Sequence, residues 1–483
     1  MSTRLDFVHR ANADYIDALY TRYLADPASV PEEWALFFAG FDFAGRGRPA
    51  AVAAGAGVHG PATGLYGLVL QYRVFGHLAA RLDPLSDPPP APPQLDPASL
   101  GFTDADLDGP VEPGSLFGGP FQGTLRDLVQ ALRDTYCASF GAEFMWIGDD
   151  ARRAWLEQRM ESTRNRAALE PDDRRRILRQ MLAADAFEEF LQARYVGQKR
   201  FSLEGAASVI PMLDTLIEGA GGMGVEMIVI GMPHRGRLNV LANVMRKPLE
   251  AMFSEFEASF APEDSYGHGD VKYHLGYASS HATRAGRVVH LDLRFNPSHL
   301  EFVNPVVMGS LHARQDVTGD ADRERGIPLL IHGEAAFSGE GIVPEALTMG
   351  QLPVYATGGA IHLIINNQVG FTTSPSDVRV SRYPTDIARA VDAPVFHVNG
   401  DDPEACVHAM RLALAYRAAF KSDVFVDLVC YRRHGHNELD DPTFTQPVMY
   451  QAIAAHVPAA RRYADALLAD GVLREADLAG MET

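Results

Sequence analysis

Two short stretches hold side chains whose types and spacing suit one piece of chemistry. The first is "LLIHGEAAFSGEG", residues 329–341, where an apolar run turns through Gly333 into small residues and presents one carboxylate, Glu334. The second is "AIHLIINNQVGF", residues 360–371, which places Asn367 at the end of another apolar run, 33 positions after Glu334. A carboxylate, an amide oxygen and backbone carbonyls are the donors that a near-octahedral Mg2+ shell uses. A turn of small residues lets backbone N–H groups approach a diphosphate, the usual companion of such a cation. Singly, "GE" and "NN" carry no weight, because turns favour Gly and Asn in any case. Their joint placement after two apolar runs is the signal.

Other polar residues gather in equivalent places. "MPHRGRLNV" brings His234, Arg235 and Gly236 directly after "VEMIVIG", and "NPSHLEF" brings Ser298 and His299 after "VVHLDLRF". A separate glycine-containing loop, "YGHGDVKYHLGY" (266–277), carries His268 and His274. A lone loop histidine is more often a surface or capping residue than a catalytic one. Several of them at the ends of consecutive strands weigh differently.

The elements that must position these residues are legible in the periodicity. Short apolar runs at 225–231, 288–293, 327–333, 360–367, 394–400 and 423–431 alternate with helical segments such as "PEACVHAMRLALAYRAAF". That alternation predicts an α/β fold with a doubly wound, mainly parallel sheet buried on both faces. Ligands of such sheets bind beyond the carboxyl ends of the strands, where the polar residues lie. Upstream, 100–220 reads as a helical region. Tyr15, Ile16, Leu19, Tyr20, Tyr23 and Leu24 have helical spacing within an N-terminal arm, 1–40. Between them, 41–99 reads as a flexible linker with a short helix at 65–82, since seven prolines fall within residues 83–97. The strand-rich domain is expected to span 221–455, with a helical tail at 456–483.

Composition excludes some partners. The chain has 43 basic and 62 acidic residues and a net charge of -19, a field that repels the phosphate backbone of nucleic acid. Cys137, Cys406 and Cys430 are far apart and odd in number, which points to a reducing compartment. With no basic-then-apolar leader and no long apolar run, the expectation is a cytoplasmic protein that neither enters nor crosses a membrane.

Glu334 and Asn367 together resemble the signature of thiamine diphosphate enzymes, a Gly-Asp followed about thirty residues on by Asn-Asn. The resemblance extends further. "GMPHRGRLNVLANV", "GDVKYHLGY", "LRFNPSHLEFVNPVVMG", "IHGEAAFSGEG", "GGAIHLIINNQVGFTTSP" and "YRRHGHNELDDPTFTQPVMY" are similar, in order and spacing, to the thiamine-dependent first component of the 2-oxoglutarate dehydrogenase complex. The resemblance implies the thiamine diphosphate-binding fold, with thiamine diphosphate and Mg2+ as cofactors and 2-oxoglutarate as substrate. In that family the cofactor attacks the 2-keto carbon, carbon dioxide leaves, and a succinyl group passes to a lipoyl group of the succinyltransferase second component. It implies His234 and His274 as substrate-side catalytic residues, and Arg235, Ser298, Leu300, Ala335 and Ala336 as cofactor contacts. The metal ligands would be Glu334, Asn367 and the Val369 carbonyl. The N-terminal arm would dock on the second component, and a cofactor shared between chains implies at least a homodimer.

Two departures from the family pattern stand out. Glu334 replaces an aspartate, and one added methylene displaces a carboxylate by roughly 1–1.5 Å on a fixed backbone. Metal-dependent cofactor binding is therefore expected to be weakened. The chain also stops at "DLAGMET", before the family's pyrimidine-binding and C-terminal domains. A complementary pyrimidine-binding polypeptide is then expected as partner, and the isolated chain is expected to be inactive. Two alternatives remain: a related enzyme for another 2-oxo acid such as 2-oxoadipate, or a silent scaffold that keeps the docking arm. For His434 and His436 in "RRHGHNELDD" the sequence offers no role beyond loop packing.

Overall fold

A computed structural model of the chain describes residues 20–23, 26–30, 62–256 and 272–482. The chain divides into two units, Met1–Gly57 and Val58–Thr483. Within the first, the described residues form a helical turn at 20–23 and a 3-10 turn at Pro27–Ser29, where the Ser29 hydroxyl donates to the Asp26 carbonyl. The remainder of the expected docking arm, and His268, lie outside the described residues.

The second unit is built on an eight-stranded sheet. Its strands are β1 (Phe140–Glu143), β2 (Met227–Gly231), β3 (Tyr277–Ala282), β4 (Val288–Leu293), β5 (Gly326–Gly333), β6 (Ile361–Asn366), β7 (Val395–Asn399) and β8 (Val424–Val429), in the spatial order β1-β7-β8-β6-β5-β2-β4-β3. The six predicted runs are the six central strands, all parallel to one another. Only the edges are antiparallel: β1 against β7 and β3 against β4. Neither edge was predicted. "FGAE" is short and lies in a helix-rich stretch, and "YASSHA" has a mostly polar composition that suits an edge with one wet face.

Alternation along each central strand decides which helices it meets. Ile327, Leu329 and Ile331 of β5 join a core with the helices Val209–Gly222 and Pro403–Phe420, whereas Leu330 of β5 and Ile364 of β6 face the opposite way. Those opposite faces pack beneath the helices Val303–Thr318, Glu334–Gly339 and Ile342–Gly350. Burial on both faces explains why the runs read as continuously apolar.

The segment expected as a flexible linker is different where the structure describes it. Residues Ala62–Phe75 form a helix whose Leu68, Val69 and Tyr72 enter the main core. The proline-rich stretch behind it closes on the same core: Leu95 is buried and its carbonyl accepts from the Tyr72 hydroxyl at 3.1 Å. Prolines exclude regular hydrogen-bonded structure but not packing, and here they make a stiff wrap rather than a tether. The helical region likewise is no separate body, since it supplies strand β1 to the sheet.

Candidate functional site

The strand register places the two chemistry-bearing turns side by side. Gly333 at the end of β5 pairs with Ile365 of β6, so Glu334 and Asn367 emerge at the same edge of adjacent strands. Between them lies a cavity of about 320 Å³. Its walls come from the ends of β2, β5 and β6 and from the loop after β8.

Eight of the ten residues singled out by sequence line it: His234, Arg235, Leu300, Glu334, Ala335, Ala336, Asn367 and Val369. Ala335 and Ala336 form the first turn of the helix Glu334–Gly339. A methyl group at Gly370 would meet the Ala335 Cβ at 2.6 Å, so small residues on both sides keep the two turns close. The other two residues stand apart. Ser298 is exposed in the loop leading to Leu300 and is not part of the wall. His274 is buried behind the wall, where its carbonyl accepts from the Asn296 N–H at 3.0 Å.

Glu334 is 3% exposed, and its Oε1 accepts the Val369 N–H at 3.1 Å. Burial pushes its carboxyl up to about 7, against the pull of its own N–H, the Arg235 and Arg379 guanidiniums and the Val369 N–H. The extra methylene thus reaches across the gap between the two turns. Asn367 is 5% exposed, and its Oδ1 has no hydrogen-bond partner among the described residues. A buried amide oxygen without a partner is costly, and beside Glu334 and Val369 on the cavity wall it is placed where a bound ion would satisfy it. A carboxylate, this orphaned oxygen and the residue Val369 on one wall fit an oxygen-coordinated divalent cation.

The wall is also cationic. Arg235 donates to the carbonyls of Ser202 (3.1 Å) and His436 (2.8 Å). Arg432 donates to the His434 carbonyl, the Tyr450 hydroxyl and the Phe371 carbonyl. All these acceptors are neutral, so among the described residues neither guanidinium is cancelled by a direct ion pair. Burial, reinforced by Arg432, lowers Arg235 to about 10, and it stays protonated at neutral pH. Two such cations suit a polyanionic ligand.

His234 faces this cavity with its ring 4.0 Å from that of Phe201 and 5.4 Å from that of His436, centroid to centroid. Burial foremost, with the fields of Arg235, His436 and His274, lowers it to about 3. It is therefore a neutral imidazole at physiological pH, able to accept a proton or share a hydrogen bond. His436 is lowered to about 4, again mainly by burial.

Sequence reasoning missed His436, Arg432 and His332 as lining residues. The first two were within reach, because "RRHGHNELDD" follows strand β8 as the other motifs follow theirs. His332 gave no signal, being one letter inside an apolar run. It is fully buried, bonded to Glu301 Oε2 at 2.6 Å and to His362 at 3.1 Å.

Residues 179–483 match the family described as Dehydrogenase E1 component. The chain belongs to that family. Within it, residues 6–45 match the segment described as 2-oxoglutarate dehydrogenase N-terminus. Among its relatives are the 2-oxoglutarate dehydrogenase E1 components of Azotobacter vinelandii (45% identical, 97% of this chain and 52% of that protein) and of Cupriavidus necator (44%, 97% and 52%). That of Brucella anthropi is 41% identical over 99% of this chain and 54% of its own length. The chain thus spans about half the length of these relatives. Dehydrogenase E1 enzymes use thiamine diphosphate with a divalent metal such as Mg2+, which is the ligand pair that the cavity's donors and cations fit.

Proposed function

We propose that this chain supplies the diphosphate- and metal-binding half of a thiamine diphosphate-dependent 2-oxoglutarate dehydrogenase site. The observation that carries the reading is the joint presence, on one wall, of Glu334, Val369 and the partnerless Asn367 Oδ1 beside the half-buried Arg235 and the buried Arg432. Glu334, the Asn367 amide oxygen and the Val369 carbonyl would hold the cation. Ala335 and Ala336 would bring backbone N–H groups to the diphosphate, and Arg235 would neutralise part of its charge. Leu300 would pack against the cofactor, and Ser298 would reach it only with movement of its loop.

When bound, thiamine diphosphate supplies a nucleophilic carbon and an electron sink for decarboxylation of a 2-oxo acid. His234, held neutral by burial and by the Arg235 guanidinium beside it, accepts or returns a proton on the substrate side, and His436 stands beside it for the same purpose. Phe201 packs on the His234 imidazole at 4.0 Å and Phe371 meets that of His436 edge-on at 4.8 Å, centroid to centroid.

The substrate and partners are inferred from the family resemblance rather than from the geometry. They are 2-oxoglutarate, a lipoyl-bearing succinyltransferase that receives the succinyl group and meets the N-terminal arm, a complementary pyrimidine-binding polypeptide or domain, and a second copy of the chain. A reducing, cytoplasmic setting is supported by three free cysteines, two of them fully buried. No helix among the described residues is long and apolar enough to cross a membrane.

The test is calorimetric titration of the chain with thiamine diphosphate, with and without Mg2+, followed by substrate profiling in the presence of a pyrimidine-binding partner. Metal-dependent binding and a preference for 2-oxoglutarate over 2-oxoadipate are expected. Metal-independent binding, or none, removes the reading.

A further inference from the structure

Glu438 belongs to the loop after β8, and its side chain is only 4% exposed. Its two oxygens accept three successive backbone N–H groups from a segment 236 to 238 residues away: Arg200 at 2.8 Å and Phe201 at 3.1 Å on Oε2, and Ser202 at 2.9 Å on Oε1. Successive N–H groups converging on one anion form a concave nest, which requires a left-handed residue within it. Phe201 is that residue, with φ of 52°. A phenylalanine adopts this conformation only at a cost and needs compensation from its surroundings.

The compensation has a visible consequence. In this conformation the Phe201 ring lies 4.0 Å from the His234 ring and meets His436 edge-on at 5.4 Å, while its carbonyl accepts the Gly236 N–H at 2.9 Å. The neighbouring Ser202 carbonyl accepts from Arg235. Thus one carboxylate joins the 200–202 segment to the loop that carries His436, and both pack on the two histidines of the cavity.

We propose that Glu438 is a positioning residue of this site: it clamps the backbone of residues 200–202 so that Phe201 caps the His234 imidazole. The role rests on the reading of His234 as a substrate-side group, but the clamp itself does not depend on any ligand. Without the carboxylate, three buried N–H groups lose their acceptor and the left-handed Phe201 loses its support. The ring then leaves His234, which becomes wet and accessible.

The experiment uses the full chain and two readouts that need neither cofactor nor turnover. Amide hydrogen exchange is followed at residues 200–202, with Leu203, whose N–H is held by Glu188 at 3.0 Å, as internal reference. Carbethoxylation of His234 by diethyl pyrocarbonate is followed by peptide mass spectrometry. In Glu438→Gln the acceptor loses its charge and one of its two oxygens becomes an NH2 that cannot accept, so exchange at 200–202 should accelerate by on the order of tenfold or more relative to Leu203. His234 should be modified several-fold faster. In Phe201→Leu the amides should stay protected while His234 is still modified faster, which separates the cap from the clamp. Unchanged protection of 200–202 in Glu438→Gln overturns the clamp. An unchanged His234 rate in Phe201→Leu overturns the cap, whether or not Glu438→Gln folds. Failure of thiamine diphosphate binding would leave both readouts as they are, so the two ideas fall separately.

Discussion

Asn367→Ala tests the metal-site reading most sharply, because a structural role and a ligand role predict opposite signs. The Oδ1 atom is buried and partnerless among the described residues. Deleting it relieves a desolvation penalty of about 1–3 kcal/mol, offset by about 1 kcal/mol of lost packing. The ligand-free protein should therefore keep its stability or gain up to about 2 kcal/mol. Binding should respond the other way. With Mg2+ thiamine diphosphate at a hundredfold excess over Kd, the native chain gains about 2.7 kcal/mol of stability. Loss of a metal donor that weakens affinity by about a hundredfold, as supporting-group losses at metal sites can, leaves a gain of about 0.4 kcal/mol at the same concentration. Thermal unfolding of both proteins, with and without ligand and Mg2+, gives all four states. An apo variant destabilised by more than about 3 kcal/mol would make Asn367 a structural residue. A ligand-induced shift equal to that of the native chain would remove it from the metal site.

Other outcomes can be checked alongside. Glu334→Asp withdraws the carboxylate by roughly 1.5 Å, freeing the Val369 N–H and restoring the shorter reach that a 2.0–2.1 Å metal contact favours; thiamine diphosphate binding in a magnesium titration should tighten, and no change or a loss would sink that account. His397 is fully buried between Asp427 Oδ2 (2.8 Å) and Glu143 Oε1 (3.0 Å). Burial opposes its charge, but those two hydrogen bonds and carboxylate fields prevail and raise it to about 9, while the same contacts hold Glu143 down at about 2 despite burial. A raised folded-state pKa gives stability that is full below the ordinary 6.5 and lost as pH rises through about 9; the depressed Glu143 gives stability lost as pH falls from 4.5 through about 2. His397→Gln should accordingly cost about 3–5 kcal/mol in urea unfolding at pH 5.5 and much less at pH 9.5, and an equal cost at both would refute the charged triad. Gly205→Ala, at φ of 95° with its new methyl 2.2 Å from the Tyr431 carbonyl oxygen, should cost about 3–5 kcal/mol, read as a fall in denaturation midpoint; a neutral result would show that the two loops can separate.

How much of this was legible beforehand depends on whether the signal was local. The six central strands were readable because burial on both faces leaves an uninterrupted apolar run, and the turn of Gly333 to Ala336 was readable because small residues at a strand end have few other uses. Glu334 and Asn367 could be paired by spacing, since adjacent parallel strands joined by a crossover recur at about that separation. The prolines of 83–97 misled for the converse reason. They report what the backbone cannot hydrogen-bond, and not whether Leu95 finds a core to enter.

The sequence by itself thus determined the sheet, its buried character and the end at which chemistry collects, since hydropathy period and turn residues are set within a few positions of chain. Only the tertiary structure decided which side chains share a wall. His436 and His234 are 202 positions apart, and Glu438 grips a segment more than 230 residues before it. Register and loop closure bring those groups together, and neither is written in the spacing of any one motif. The protonation of the site was likewise decided in three dimensions. His234 is neutral because burial and the guanidinium of Arg235 beside it disfavour its charge, and the Asn367 oxygen is notable because, among the described residues, it lacks a partner on the same wall as Glu334.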